Sequence, residues 1–104
     1  MTIEQLLKET KERLARVYGG RLHGVVLCGS EARGDARPDS DVDILVLLDG
    51  PVDLWNDART VAKNLYDLML EFGRTIDGMP VDIRSYEDAD APLYSDARAR
   101  GIRV

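Results

Sequence analysis

Two aspartates separated by one residue, Asp41 and Asp43, open a strongly apolar run that continues to Leu48. Side chains two apart on a strand leave from the same face. The pair therefore points together, while Val42, Ile44, Val46 and Leu48 take the opposite face. Two carboxylates about 7 Å apart at the backbone repel each other and lose solvation if left unpaired. A hard divalent cation resolves both costs, and carboxylate oxygens are the donors that Mg²⁺ prefers. Aspartates at a strand entrance can also simply cap a turn. Asp43, however, lies between Val42 and Ile44 in a β-forming run where Asp is disfavoured, and a residue that breaks the local rule is where function is expected.

A second pair, Gly29-Ser30, directly follows the apolar run Val25 to Cys28. Glycine lets a phosphate approach the backbone, and the following amides and the Ser hydroxyl can bind its oxygens. Alone, a Gly-Ser pair is an ordinary strand-ending turn. It becomes specific through its spacing, since ten residues separate Ser30 from Asp41. The stretch Gly29-Ser-Glu-Ala-Arg-Gly-Asp-Ala-Arg-Pro-Asp-Ser-Asp-Val-Asp43 resembles the signature of the nucleotidyltransferase superfamily that includes the DNA polymerase β-like enzymes. Its minimal prokaryotic members are the nearest look-alikes, and the resemblance extends over nearly the whole chain.

That resemblance implies a third carboxylate on a later strand. Asp82, in Pro80-Val-Asp-Ile-Arg84, is the candidate, flanked by core-type Val81 and Ile83. Asp77 competes, but it sits in an Asp-Gly pair that reads as a turn. Three carboxylates facing a phosphate-binding turn suggest metal-assisted displacement at phosphorus. Asp41, Asp43 and Asp82 would be the catalytic and metal-binding set, with one or two Mg²⁺ and ATP as substrate. Gly29 and Ser30 would orient the phosphates, and Arg33, which matches the family pattern, would bind nucleotide as well. Arg37 shares the loop, where arginines are usually solvated. Cys28 and His23 read as structural, and Trp55 and Tyr66 as packing residues rather than base-stacking ones.

The elements that position these residues follow from periodicity. Thr2 and Gln5 have the form of a capping box. They precede a helix with Ile3, Leu6, Leu7, Leu14 and Val17 on one face, ended by Gly19-Gly20. Strands are expected at Arg21 to Cys28 and Asp41 to Leu48, with a turn or short helical turn and a loop between them. A long helix runs from about Asp53 to Gly73 with Leu54, Ala58, Val61, Ala62, Leu65, Met69 and Phe72 at helical spacing. A third strand is expected at about Met79 to Ser85, then a helix near Leu93 to Arg100 and an edge strand at Ile102 to Val104. The order predicts an α/β (α+β) sandwich, a small mixed sheet flanked by helices, as in the nucleotidyltransferase fold that the resemblance implies.

The 104 residues suit a single domain with one two-layered core. A net charge of −5 argues against a groove that tracks duplex nucleic acid and suits a basic protein partner or a metal site. No apolar run approaches the roughly 20 residues of a membrane span. One cysteine and a charged N-terminus fit a cytoplasmic protein. Three functions are compatible with the pattern. The chain resembles the antitoxin half of toxin–antitoxin pairs, which implies AMP transfer to a tyrosine of a helical HEPN-type toxin. It could instead modify a small molecule, as aminoglycoside nucleotidyltransferases do, with a homo-oligomer supplying the missing wall. A non-catalytic module that occludes its partner is the third, although a pure binder need not keep a costly acidic cluster.

Overall fold

A computed structural model describes all 104 residues. Helix α1 spans Ile3–Tyr18 and starts from the expected capping box, with the Gln5 N–H donating to Thr2 Oγ1 at 3.1 Å and the Thr2 N–H to Gln5 Oε1 at 2.7 Å. A 3-10 turn, Gly19–Arg21, leads into strand β1, Leu22–Cys28. A short helix α2 covers Gly29–Arg33, and strand β2 covers Val42–Leu48. Helix α3, Leu54–Phe72, is capped by the Asp53 carboxylate and closed by left-handed Gly73. Strand β3 is Ile76–Asp82, followed by helix α4 (Ile83–Glu87), a 3-10 turn at Pro92–Tyr94, helix α5 (Ser95–Arg100) and strand β4 (Ile102–Arg103).

The third strand starts three residues before the expected Met79 and ends three before the expected Ser85. Asp77-Gly78 is not a turn but part of the ladder, and Gly78 is there for a packing reason. A Cβ at that position would lie 2.6 Å from Val61 Cγ1, so glycine lets α3 press against the strand. At the other end the Asp82 carboxylate accepts the Arg84 N–H at 2.9 Å and caps α4, which stops the strand.

The sheet order is β3-β2-β1-β4. β1 runs antiparallel to β2 and β4, and β3 runs parallel to β2 after the crossover through α3. Helices α1 and α3 cover one face over Val25, Leu27, Val42, Ile44, Val46 and Leu48. The other face carries Val26, Leu45, Leu47 and Val81, covered by Ile83 and Tyr86 of α4 and flanked by Tyr94 and Ala97. β2 is thus buried on both sides, which explains its unbroken apolar run.

The helix faces are rotated slightly from the expected ones. Thr10 is buried in α1 while Val17 is exposed, and α3 buries Asp57, Val61, Leu65 and Leu68 while Leu54 is exposed. Asp57 is tolerated because four donors surround it. Arg21 reaches both of its oxygens at 3.2 Å, the Tyr18 hydroxyl donates at 2.9 Å and the Asp53 N–H at 3.0 Å. Burial alone would raise the Asp57 pKa, but the hydrogen bonds from Arg21 and Tyr18 outweigh it and hold the group below its ordinary value. This network lies at the end of the sheet where β2 finishes, and Arg21 also ties down the Asp49 and Pro51 carbonyls.

Candidate active site

Strand register places three chemistry-bearing side chains in one row. Asp43 is opposite Cys28 of β1 on one side and opposite Asp77 of β3 on the other. Neighbouring strands lie about 4.8 Å apart and directly paired residues share a face, so Asp43 and Asp77 face out together. As expected, Val42, Ile44, Val46 and Leu48 turn to the opposite face. Asp41 precedes β2 and is exposed.

Gly29 sits immediately behind Asp43. Its φ of +68° is left-handed, and a Cβ there would lie 2.5 Å from Asp43 Oδ2. Only glycine therefore brings the backbone of this turn against the carboxylate. Ser30 opens α2, and Gly34, at φ +80°, closes it. The turn is fastened to the aspartate segment by a residue that the sequence did not single out. The Arg74 Nη1 pairs with Glu31 of α2, and its Nε donates to the Ser40 carbonyl at 2.9 Å. Both side chains of the ion pair are only 17% exposed. The next residue, Thr75, accepts the Val42 N–H at 2.8 Å. One guanidinium thus joins the phosphate-type turn, the entry to β2 and the entry to β3. A lone Arg between a helix-ending glycine and a strand carries no sequence signal of that role.

The electrostatics leave the acidic row uncompensated. Burial raises the Asp43 pKa above the ordinary carboxylate value, and the charges of Asp77 and Asp41 raise it further, against a smaller opposing effect from Arg33. The nearby cations are engaged elsewhere, Arg33 with Asp35 at 3.5 Å and Arg74 with Glu31. Cys28 is pushed up to about 11 by burial and by Asp43 and Asp77, so its thiol stays protonated and inert. As the side chains stand, no three acidic, thiol or imidazole groups converge tightly enough to hold a metal ion. Asp41 and Asp77 are exposed, however, and their rotation toward Asp43 would offer hard oxygen donors of the kind a divalent cation requires. The donor set fits such an ion in chemistry and in charge.

Asp82 does not join this row. It pairs in register with Leu48, five residues further along the parallel strands, about 17 Å away at about 3.3 Å per residue. The odd offset also turns it to the other face. There it is held below the ordinary carboxylate value by hydrogen bonds from Arg84, first from the side chain and then from the backbone. The expectation that Asp82 stands beside the first two aspartates is therefore corrected, and Asp77 occupies that place. The missed signal was parity: Val81 shares a face with Leu47, two steps from Asp43, and its neighbour Asp82 must look the other way. Arg37 uses its backbone N–H on Ser40 Oγ at 2.8 Å. His23 lies near Asp49, away from the row. Trp55 is 80% and Tyr66 59% exposed, so neither packs in the core as expected.

Residues 3–103 match a protein family described as the nucleotidyltransferase domain. Two proteins of Methanocaldococcus jannaschii are similar in sequence, both named as candidate protein adenylyltransferases. One is 35% identical over 76% of this chain and 73% of its own length, and the other 42% identical over 46% of this chain and 48% of its own. Among solved structures, a toxin–antitoxin crystal structure with AMP-PNP superposes with a TM-score of 0.64 at 22% identity, over 98% of this chain and 72% of that one. A mutant of the toxin–antitoxin MntA–HpeT gives 0.62 at 17% identity, over 99% of this chain and 72% of that one.

Proposed function

The chain belongs to the nucleotidyltransferase domain family and is a nucleotidyltransferase, and from that premise we propose that it moves AMP from ATP to a protein hydroxyl, a tyrosine of a HEPN-type toxin encoded beside it, and thereby acts as a cytoplasmic antitoxin. The observation that carries this reading is the row of Asp43 and Asp77 beside the Gly29-Ser30 turn. The two relatives similar in sequence, both named as candidate protein adenylyltransferases, support protein as the acceptor. The solved structures support a toxin as partner and an ATP-like nucleotide as ligand.

Asp41, Asp43 and Asp77 are the residues that would hold Mg²⁺, with Asp77 replacing Asp82 in the set. When bound, the ion would neutralise charge on the phosphates. The Gly29 and Ser30 amides and the Ser30 hydroxyl receive the β and γ phosphates, and Arg33 supplies a guanidinium at the end of α2. Asp77, on the far side of Asp43 from that turn, accepts the proton of the incoming hydroxyl. Most of the rate gain comes from positioning and from charge neutralisation.

A second reading, occlusion of the partner without chemistry, is supported by the likeness in fold to toxin–antitoxin structures. The deciding experiment incubates purified protein with MgCl₂, α-labelled ATP and the product of the neighbouring gene, followed by intact mass. A gain of one or more AMP units on the partner is expected. A stable complex with no gain would replace transfer by occlusion.

A further inference from the structure

Helix α3 is apolar over more of its surface than the core uses. Val61, Leu65 and Leu68 form the stripe buried against the sheet. At about 100° per residue, Met69, Ala62, Trp55, Tyr66, Arg59 and Leu70 form a second stripe beside it, spread over about 100° of arc. Trp55, Tyr66 and Leu70 are each more than half exposed, and Arg59 is the only charged residue of the six. The other flank of the helix is polar, with Asn64, Asp67 and Glu71, and there Asp67 pairs with Arg13 of α1. The second stripe instead borders β3, the last strand of the sheet. Between the two runs a groove of about 320 Å³, with Ala58, Ala62, Tyr66, Met69 and Ile76 among its walls. Packing on one core needs one stripe, and this second one has no partner within the chain.

We propose that this stripe is the contact surface for a second copy of the chain, in an antiparallel pair of α3 helices. The pattern itself selects that occupant, because it reads alike from both ends. Trp55 stands seven residues before Ala62 and Leu70 eight after it, while Arg59 stands three before and Tyr66 four after. With Ala62 facing Ala62 of the copy, each Trp55 lies against Met69 and Leu70 of the copy, and each Arg59 against Tyr66 of the copy. The small side chain at the dyad lets the helix axes approach to about 8 Å. The one cation of the stripe then meets an aromatic ring, an attraction that strengthens as water is excluded. A parallel pair would set Arg59 against Arg59 instead. An isologous contact requires such self-complementarity, and docking of an unrelated protein does not. Trp55 and Tyr66 bury about 150–250 Å² each when fully covered. Together with Met69, Leu70 and the Arg59 stem of both copies, the contact reaches about 1,000 Å², where specific interfaces begin. The dyad stands along the sheet normal, and Asp43 and Asp77 lie on the sheet face away from α3. Both acidic rows therefore open on the same side of the pair, clear of the contact.

The test uses the full chain, and none of its readouts depends on AMP transfer. Sedimentation equilibrium between about 1 and 200 µM is expected to show monomer and dimer in exchange. The emission of Trp55, the single tryptophan, moves to the blue over the same range. Ala62→Arg places two guanidinium groups together at the dyad and raises the dimer Kd about 100-fold or more. Glu71→Arg, on the polar flank of the same helix, leaves it unchanged. Both positions are exposed, and circular dichroism checks that the variants fold. Independently, Ala62→Cys in a Cys28→Ala background forms a disulfide-linked dimer under mild oxidation, and Glu71→Cys in that background does not. A chain that stays monomeric throughout, with Ala62→Cys unlinked, overturns the proposal. A dimer that survives Ala62→Arg with Trp55 emission unmoved overturns it too, since its contact then lies elsewhere. A monomer whose Trp55 emission moves only when the product of the neighbouring gene is added overturns it in favour of that protein as the occupant.

Discussion

The Arg74–Glu31 pair allows stability and activity to be separated by mutation. Removing one member of a buried ion pair costs about 3–5 kcal/mol. Here the side chains keep 17% exposure, so screening and water reduce this to about 2–3 kcal/mol for Arg74→Met. In a domain of this size that lowers Tm by about 10–20 °C. Replacing both partners, as Arg74→Met with Glu31→Leu, removes the stranded charge and comes close to neutral. It also removes Arg74 Nη2, a buried N–H group without a partner, whose loss returns about 1 kcal/mol. Activity behaves differently. Without the guanidinium nothing ties α2 to the Ser40 carbonyl, and a displacement of about 1 Å between the phosphate turn and the aspartates costs about 100-fold. Urea denaturation of the four proteins of the cycle, together with AMP transfer rates, reads both quantities. The expected result is a double variant with near wild-type stability and kcat reduced about 100-fold. A double variant with wild-type kcat would refute the positioning argument, and equal stability losses in the single and double variants would refute the ion-pair argument.

Two further outcomes follow. Asp77→Asn should lower transfer at least about 100-fold, as expected for a group acting at the reacting atoms, while Asp82→Asn keeps wild-type kcat and loses only the α4 cap; equal losses in kcat would return Asp82 to the site. Asp43 has its folded pKa raised, so its charged form opposes folding above that pKa, and the cost disappears below the unfolded value near about 4. Asp43→Asn should therefore raise Tm at pH 7 by a few degrees, with the gain vanishing near pH 3; MgCl₂ should raise the Tm of the wild type and leave that of Asp43→Asn unchanged.

Much of this architecture was legible in the chain. Thr2, Gly19, Asp53 and Gly73 mark helix ends by local hydrogen bonding and left-handed backbone, which depend on a few neighbouring residues. The outward face of Asp43, opposite Val42 and Ile44, follows from strand periodicity, and the approach of Gly29 to Asp43 fits the Gly-Ser signature. The failures arise where a residue's meaning depends on a distant partner. Gly78 looks like a turn residue until Val61 is seen pressing on it. Asp82 looks like a strand carboxylate until Arg84 makes it a cap. Arg74 is ordinary until Glu31 and Ser40, more than 30 residues earlier, are brought against it.

The parallel pairing of β2 with β3 has a consequence for how the protein matures. Asp43 and Asp77 are separated by the whole of α3, and they meet only when that crossover has closed. A nascent chain that has made its first two strands holds the Gly29-Ser30 turn and two aspartates as a local hairpin product, yet it lacks the third carboxylate, Asp77. Catalytic competence therefore waits for a contact far less local than the hairpin of β1 and β2, and turnover in a refolding experiment would report that closure directly.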